Sequence, residues 1–188
     1  MKHAVASAAT RAALIEQFCK LYQHLPIEKV TVKDISAHAG VSRVTFYNYF
    51  SDPYQLLDEL EDELIAAILS NARTAMERGF DLESFTSIFI KVFEENNERV
   101  KLLFLGSHAD AFANKAKNAF IDMMKPLFID YETDPLVRYA VEYHVAGMVA
   151  LFQRWLGQND VDTEEMAFIV RNLVTKGALT SILASRGQ

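Results

Sequence analysis

A single cysteine, Cys19, stands in 188 residues, so no disulfide can form within the chain and a reducing, cytoplasmic setting is expected. Proline and glycine are scarce, at 4 and 7 residues, which disfavours a turn-rich β protein and favours long, uninterrupted helices. No apolar run approaches the roughly 18 residues needed to span a bilayer, and no segment sustains a period-two alternation. The opening stretch MKHAVASAATRAALIEQF is interrupted by Arg11 and Glu16 and does not read as a secretory leader. Internal repeats and low-complexity tracts are missing. So are a Gly-rich phosphate loop, HExxH, a nucleophile elbow and a histidine paired with Cys19, and neither an enzyme nor a cofactor is expected. His108 and His144 have no ligand-spaced partner, which argues against a metal site.

What remains is an ordinary globular composition, 51% apolar and 23% charged. The net charge of -6 conceals an asymmetry. Residues 1–50 hold six cations (Lys2, Arg11, Lys20, Lys29, Lys33, Arg43) against three acids (Glu16, Glu28, Asp34), a net of +3, which leaves -9 for the rest. A mildly basic head on an acidic body suits a phosphate-facing end and a solvent-facing remainder.

The periodicity is helical throughout. A first helix is expected from near Ser7 to His24, with Leu14, Phe18, Leu21 and Tyr22 on one face and Pro26 just past its end. Thr31 and Asp34 open a short second helix as a capping box, its inward positions Val32, Ile35 and Ala39, and Gly40 closes it. Ser42 caps a third helix that reaches about Tyr49. Asp52, Pro53 and Gln55 start a fourth, running to about Arg78 with Leu56, Leu57, Leu60, Leu64, Ile68 and Ala72 as its stripe. Further helical segments are expected around Phe85–Phe93, Val100–Leu105, Ala109–Phe128, Asp134–Leu156 and Asp162–Leu183. The fold class is therefore all-α, with about nine helices.

The stretch TVKDISAHAGVSRVTFYNYF, residues 31–50, has the layout of a helix-turn-helix, whose second helix projects to enter a DNA major groove. Ile35, Ala39, Val41, Phe46 and Phe50 suit the inward positions. Phe46, Tyr49 and Phe50 read as core, and the aromatics of so short a helix cannot all turn inward, which leaves Tyr47 outside. The outward set is Ser42, Arg43, Thr45, Tyr47 and Asn48. Arginine reads guanine edges and asparagine adenine, while tyrosine and threonine hydroxyls and the helix start at Thr31 suit phosphate oxygens. With Lys33 on the preceding helix, these form the candidate DNA-binding residues.

The segment VTVKDISAHAGVSRVTFYNYFSDPYQLLDEL resembles the DNA-binding head of the TetR family of bacterial transcriptional regulators, in a pattern covering roughly Ala8 to Glu63. The resemblance implies a three-helix helix-turn-helix head, residues 8–68, joined by the long fourth helix to a helical dimerisation and ligand domain, residues 69–188. It makes Tyr47 the phosphate-contacting aromatic, places Arg43 and Thr45 at base- or backbone-facing positions, and puts Thr31 near a phosphate. One position departs from the pattern: the family's usual lysine after the aromatic run is Pro53 here, and one cationic contact is missing.

Two C-terminal amphipathic helices carry more apolar surface than a monomer readily hides. Leu136, Tyr139, Tyr143, Gly147, Leu151 and Trp155 mark one; Phe168, Leu173, Ala178 and Leu179 mark the other. By the resemblance, such helices pair into a four-helix bundle between subunits, with Tyr143, Gly147, Leu151, Trp155, Leu173 and Gly177 as candidate interface residues. The expected regulator is a ligand-responsive repressor that binds a palindromic operator as a homodimer. Its unnamed small-molecule effector would be lined by Phe89, Phe93, Phe104, Phe112, Phe120 and Met123, although such a stripe also reads as plain core. The C-terminal half, with Arg154-Trp155-Leu156 followed by Thr-Glu-Glu-Met, is similar to the DhaS-like branch of the family. That likeness implies the alternative of a co-activator whose head acts mainly through protein contacts.

Overall fold

The fold begins with α1 (Lys2–Tyr22), which starts earlier than its apolar face alone required and buries Leu14, Phe18 and Tyr22. The computed structural model describes residues 2–77, 97–128, 130–158 and 160–176, and all regular structure among them is helical. A 3-10 turn at Ile27–Lys29 follows Pro26, and α2 (Val32–His38) then starts on the Thr31 cap, whose side chain accepts from the Asp34 backbone N–H at 3.2 Å. Gly40 adopts φ 67°, the left-handed conformation that a side chain would resist, and Val41 N–H donates to the Ser36 carbonyl at 3.0 Å to close the turn.

The Ser42 side chain accepts from the Thr45 N–H and starts α3 (Arg43–Tyr47). The next helix, α4 (Pro53–Glu77), begins where Asp52 Oδ1 accepts from the Gln55 N–H at 2.8 Å while the Gln55 side chain accepts from the Ser51 N–H. Leu56, Leu57, Leu60, Leu64, Ile68 and Ala72 are all buried along it, as their spacing requires.

The body contains a helical segment over 97–105 (α5), then α6 (Ala109–Met124), α7 (Pro135–Gln158) and α8 (Thr163–Lys176). A 3-10 turn at Lys125–Leu127, with Pro126, ends α6. The start of α8 is a reciprocal box: Glu165 N–H donates to Asp162 Oδ1 at 2.8 Å, and Asp162 N–H to Glu165 Oε2 at 3.2 Å. Eight α-helices thus occur among the described residues; the segment expected at Phe85–Phe93 lies outside them.

Head and body share one hydrophobic core, which runs from Leu14, Phe18 and Phe46 through the α4 stripe to Phe104, Phe112, Trp155 and Val170. A smaller cluster around Tyr131, Val137 and Val141 lies between α6 and α7. Where α6 meets α4, Lys115 is held by Asp58, by Glu61 at 3.2 Å and by Asp62 at 2.8 Å. The turn between α5 and α6 abuts the head: His108 N–H donates to Tyr22 Oη at 3.0 Å, and Ile27 N–H donates to Ser107 Oγ at 3.1 Å.

Candidate nucleic-acid interface

The first turn of α3 is set by its cap. Ser42 Oγ accepts from the Thr45 N–H at 3.0 Å and is hydrogen-bonded to Thr45 Oγ1 at 2.9 Å, so the Thr45 hydroxyl is engaged by its own helix start. Phe46 is completely buried and Phe50 nearly so, their ring centroids 5.7 Å apart, and together they root the helix in the core. The opposite face is open: Arg43, Val44, Tyr47 and Asn48 are exposed, Tyr47 at 58%. The Tyr47 ring stands edge-on against Phe46 at 5.8 Å, which fixes its base while leaving most of the side chain to solvent.

Two contacts brace the segment that follows α3. The Tyr49 hydroxyl donates to Ser7 Oγ on α1 at 3.1 Å, so Tyr49 is only half-buried, less enclosed than its core reading. Arg11 on α1 reaches Glu59 at 2.7 Å and Glu63 at 3.0 Å on α4, and its guanidinium lies 5.5 Å over the Phe50 ring. The hydrogen bond to Glu59, then that to Glu63, raises the Arg11 pKa against the opposing effect of burial.

The sequence-predicted residues Thr31, Lys33, Ser42, Arg43, Tyr47 and Asn48 are all exposed, on α2, α3 and their caps, and Thr45 is half-buried beside them. An acid lies among them, since Thr31 Oγ1 donates to Asp34 Oδ2 at 2.6 Å. The start of α4 is closed too. Pro53 is buried and offers no N–H, and Asp52 occupies the N–H of Gln55. Sequence reasoning passed over Val44, which is 71% exposed, and Arg11. Val44 was legible in the helical wheel, where it lies opposite Phe46; Arg11 needed the pairing of α1 with α4.

In the body, the residues proposed to line an effector pocket divide. Phe104 and Phe112 are core, packed edge-to-face with centroids 4.7 Å apart, and Phe104 meets Phe152 in the same way at 5.3 Å. Met123 is buried and Phe120 is half-buried against both clusters, while Phe89 and Phe93 lie outside the described residues. An open groove of about 580 Å³ does occur between α6 and α7, lined by Lys117, Ile121, Lys125, Tyr131 and Glu142 among others, but by none of those aromatics.

The proposed interface residues divide as well. Tyr143 is 72% exposed, Gly147 has open space where a Cβ would be, and Leu173 is exposed. Leu151 is half-buried against the core. Trp155 is buried within its own chain, its Nε1–H donating to the Val161 carbonyl at 2.8 Å, where the turn into α8 folds over it. Gly177, Ala178 and Leu179 lie outside the described residues. Among the described residues, no His/Cys/Asp/Glu group is placed to hold a metal ion, and no helix is long and apolar enough to cross a membrane.

Residues 8–60 match the family model of bacterial regulatory proteins of the TetR family. No curated protein sequence matches the chain. In fold, the chain is similar to a TetR transcriptional regulator from Streptococcus agalactiae, with a TM-score of 0.71 at 22% identity, covering 93% of this chain and 98% of that one. It is also similar to the fatty acid degradation regulator FadR from Bacillus halodurans, at TM-score 0.64 and 16% identity over 90% and 96% of the two chains. The dihydroxyacetone kinase operon activator DhaS aligns at TM-score 0.62 and 18% identity over 89% and 94%. Residues 8–60 thus match the TetR-family model, and the chain as a whole shares the fold of these solved regulators.

Proposed function

We propose, from a head of the TetR family and a body of its fold, that this chain is a homodimeric repressor that binds a palindromic DNA operator and is released by a small-molecule effector. The observation that carries the reading is the open face of α3: Arg43, Tyr47 and Asn48 stand exposed on a helix whose other side is anchored by fully buried Phe46. Thr31 and Lys33 on the preceding helix serve as phosphate contacts, with Ser42 and Thr45 shaping the start of α3.

Dimerisation is supported by an apolar row on α7 and α8. Leu136, Tyr139 and Tyr143 recur at helical spacing with exposures of 59–72%, and Phe168 on α8 is 66% exposed. A second copy of the chain is the occupant that leaves two recognition helices on one face of the duplex, about 34 Å apart. Regulators of this family usually dimerise and bind small-molecule effectors, which supports the effector.

A second reading, a co-activator of the DhaS kind, is favoured by the start of α4, where Asp52 and Pro53 stand in place of a phosphate anchor. Selection of bound duplexes from random-sequence DNA, followed by gel shift over a salt series, separates the two. A recovered palindrome whose affinity falls steeply with salt supports the repressor; failure to bind any duplex at low salt sinks it.

A further inference from the structure

Val44 occupies the middle of the open face of α3. At 100° per residue it points away from buried Phe46, with Tyr47 and Asn48 one turn on to either side and Arg43 beside it. It is 71% exposed, among the most exposed large hydrophobic residues described in the chain. The fold gives this residue nothing: a β-branched side chain without packing is a poorer helix former than alanine, and its neighbours on that face carry hydrogen-bonding groups. A short, stiff apolar group in such a place is matched to an apolar feature of the partner. In the major groove, the C5-methyl of thymine is the apolar group that distinguishes one base pair from another.

We infer that Val44 is a specificity-determining residue that reads a thymine methyl in each half-site of the operator, between the bases faced by Arg43 and Asn48. This inference rests on the DNA-binding reading above and adds a base and a chemical group to it. The single preferred χ1 rotamer of valine in a helix holds the two methyls at one position, so the contact discriminates by position as well as by polarity. The hydroxyl of Thr45 is committed to Ser42, so the contact does not compete with that side chain.

The test uses the full chain and the duplex recovered from random-sequence selection. Each thymine is replaced in turn by deoxyuridine, which deletes the methyl and keeps every hydrogen-bonding group. Binding is read by fluorescence anisotropy for wild type, Val44→Ala and Val44→Ser, with circular dichroism confirming that both variants stay folded. The expected result is a thymine position at which deoxyuridine weakens wild-type binding about fourfold, the yield of one buried methyl. At that position the Val44→Ser ratio falls to about one and that of Val44→Ala falls between the two. Wild type indifferent to deoxyuridine at every position overturns the inference while leaving DNA binding intact. So does a thymine preference that survives in both variants, since another side chain or the DNA shape then carries it. Failure of wild type to bind any recovered duplex overturns the DNA-binding reading itself, and the inference with it.

Discussion

The guanidinium of Arg11 lies 5.5 Å above the ring of Phe50, while its nitrogens reach Glu59 and Glu63 at 2.7 and 3.0 Å. One side chain of α1 thereby holds the segment that follows α3 against the first turns of α4. Both ion pairs are more than a third exposed, so their share is modest. Arg11→Ala is expected to lower unfolding free energy by about 1 kcal/mol in urea titration. Arg11→Lys is expected to recover less than half of that, because a point charge cannot span two carboxylates and a ring. Full recovery by lysine would show that only net charge matters.

Under the proposed reading, Tyr47 and Lys33 are expected to contribute to DNA binding in separable ways. Tyr47→Phe removes a hydroxyl and no charge, so affinity should fall about tenfold with the salt slope unchanged. Lys33→Ala should lower the slope of log affinity against log salt by about one. Gel shifts at four salt concentrations measure both. A Tyr47→Phe variant that binds as wild type removes the phosphate role of the hydroxyl.

Glu61 is almost completely buried, and burial pushes its pKa up while the Lys115 hydrogen bond and charge, and His108, pull it down. Burial lowers the Lys115 pKa, but the hydrogen bonds to Asp58, Asp62 and Glu61 outweigh it and raise it overall. Lys115→Met should therefore cost about 2–3 kcal/mol at pH 7, since it leaves the buried carboxylate without its lysine and with only His108 beside it at 3.9 Å. A carboxyl whose folded pKa lies above its unfolded value binds more protons when folded. The variant should regain stability as pH falls below 7 towards the unfolded carboxyl's ordinary value, because the folded carboxyl takes up its proton first. Thermal melts across that range check the sign, and Glu61→Gln in the same background should flatten the dependence.

The joint between head and body is sensitive to a single methyl. A Cβ on Gly106 would stand 2.5 Å from the Leu102 carbonyl and 2.9 Å from the Tyr22 ring and hydroxyl. Gly106→Ala should cost about 2 kcal/mol by displacing that turn. Tyr22→Phe, which removes the acceptor of the His108 N–H, should cost about 1 kcal/mol. Melting temperatures measure both, and an unchanged melt for Gly106→Ala would mean that the turn yields freely.

The head was legible because its signals are local. Capping residues act within three positions, as at Thr31, Ser42 and Asp52, and a left-handed glycine marks its own turn. Buried Phe46 beside exposed Tyr47 followed from the width of a helix. The body was legible as helices but not as surfaces. Trp155 and Leu151 fit an interface stripe on the wheel, yet which neighbour covers a stripe depends on the path of the chain. The turn that brings the Val161 carbonyl to the Trp155 indole carries no mark in the residues around Trp155 itself. Nor did the stripe of Phe104 and Phe112 foretell that Phe104 would pack on Phe152, and Phe152 on Trp155.

The core that links Leu14 to Val170 among the described residues is expected to make head and body unfold together. Cutting α4 after the head would leave Leu64, Ile65 and Ile68 facing water, so an isolated head is expected to be loose rather than a portable module. Urea should unfold head and body in one transition that different spectroscopic probes report alike. A substitution deep in the body, far from α3, is therefore expected to change how often α3 is folded at all.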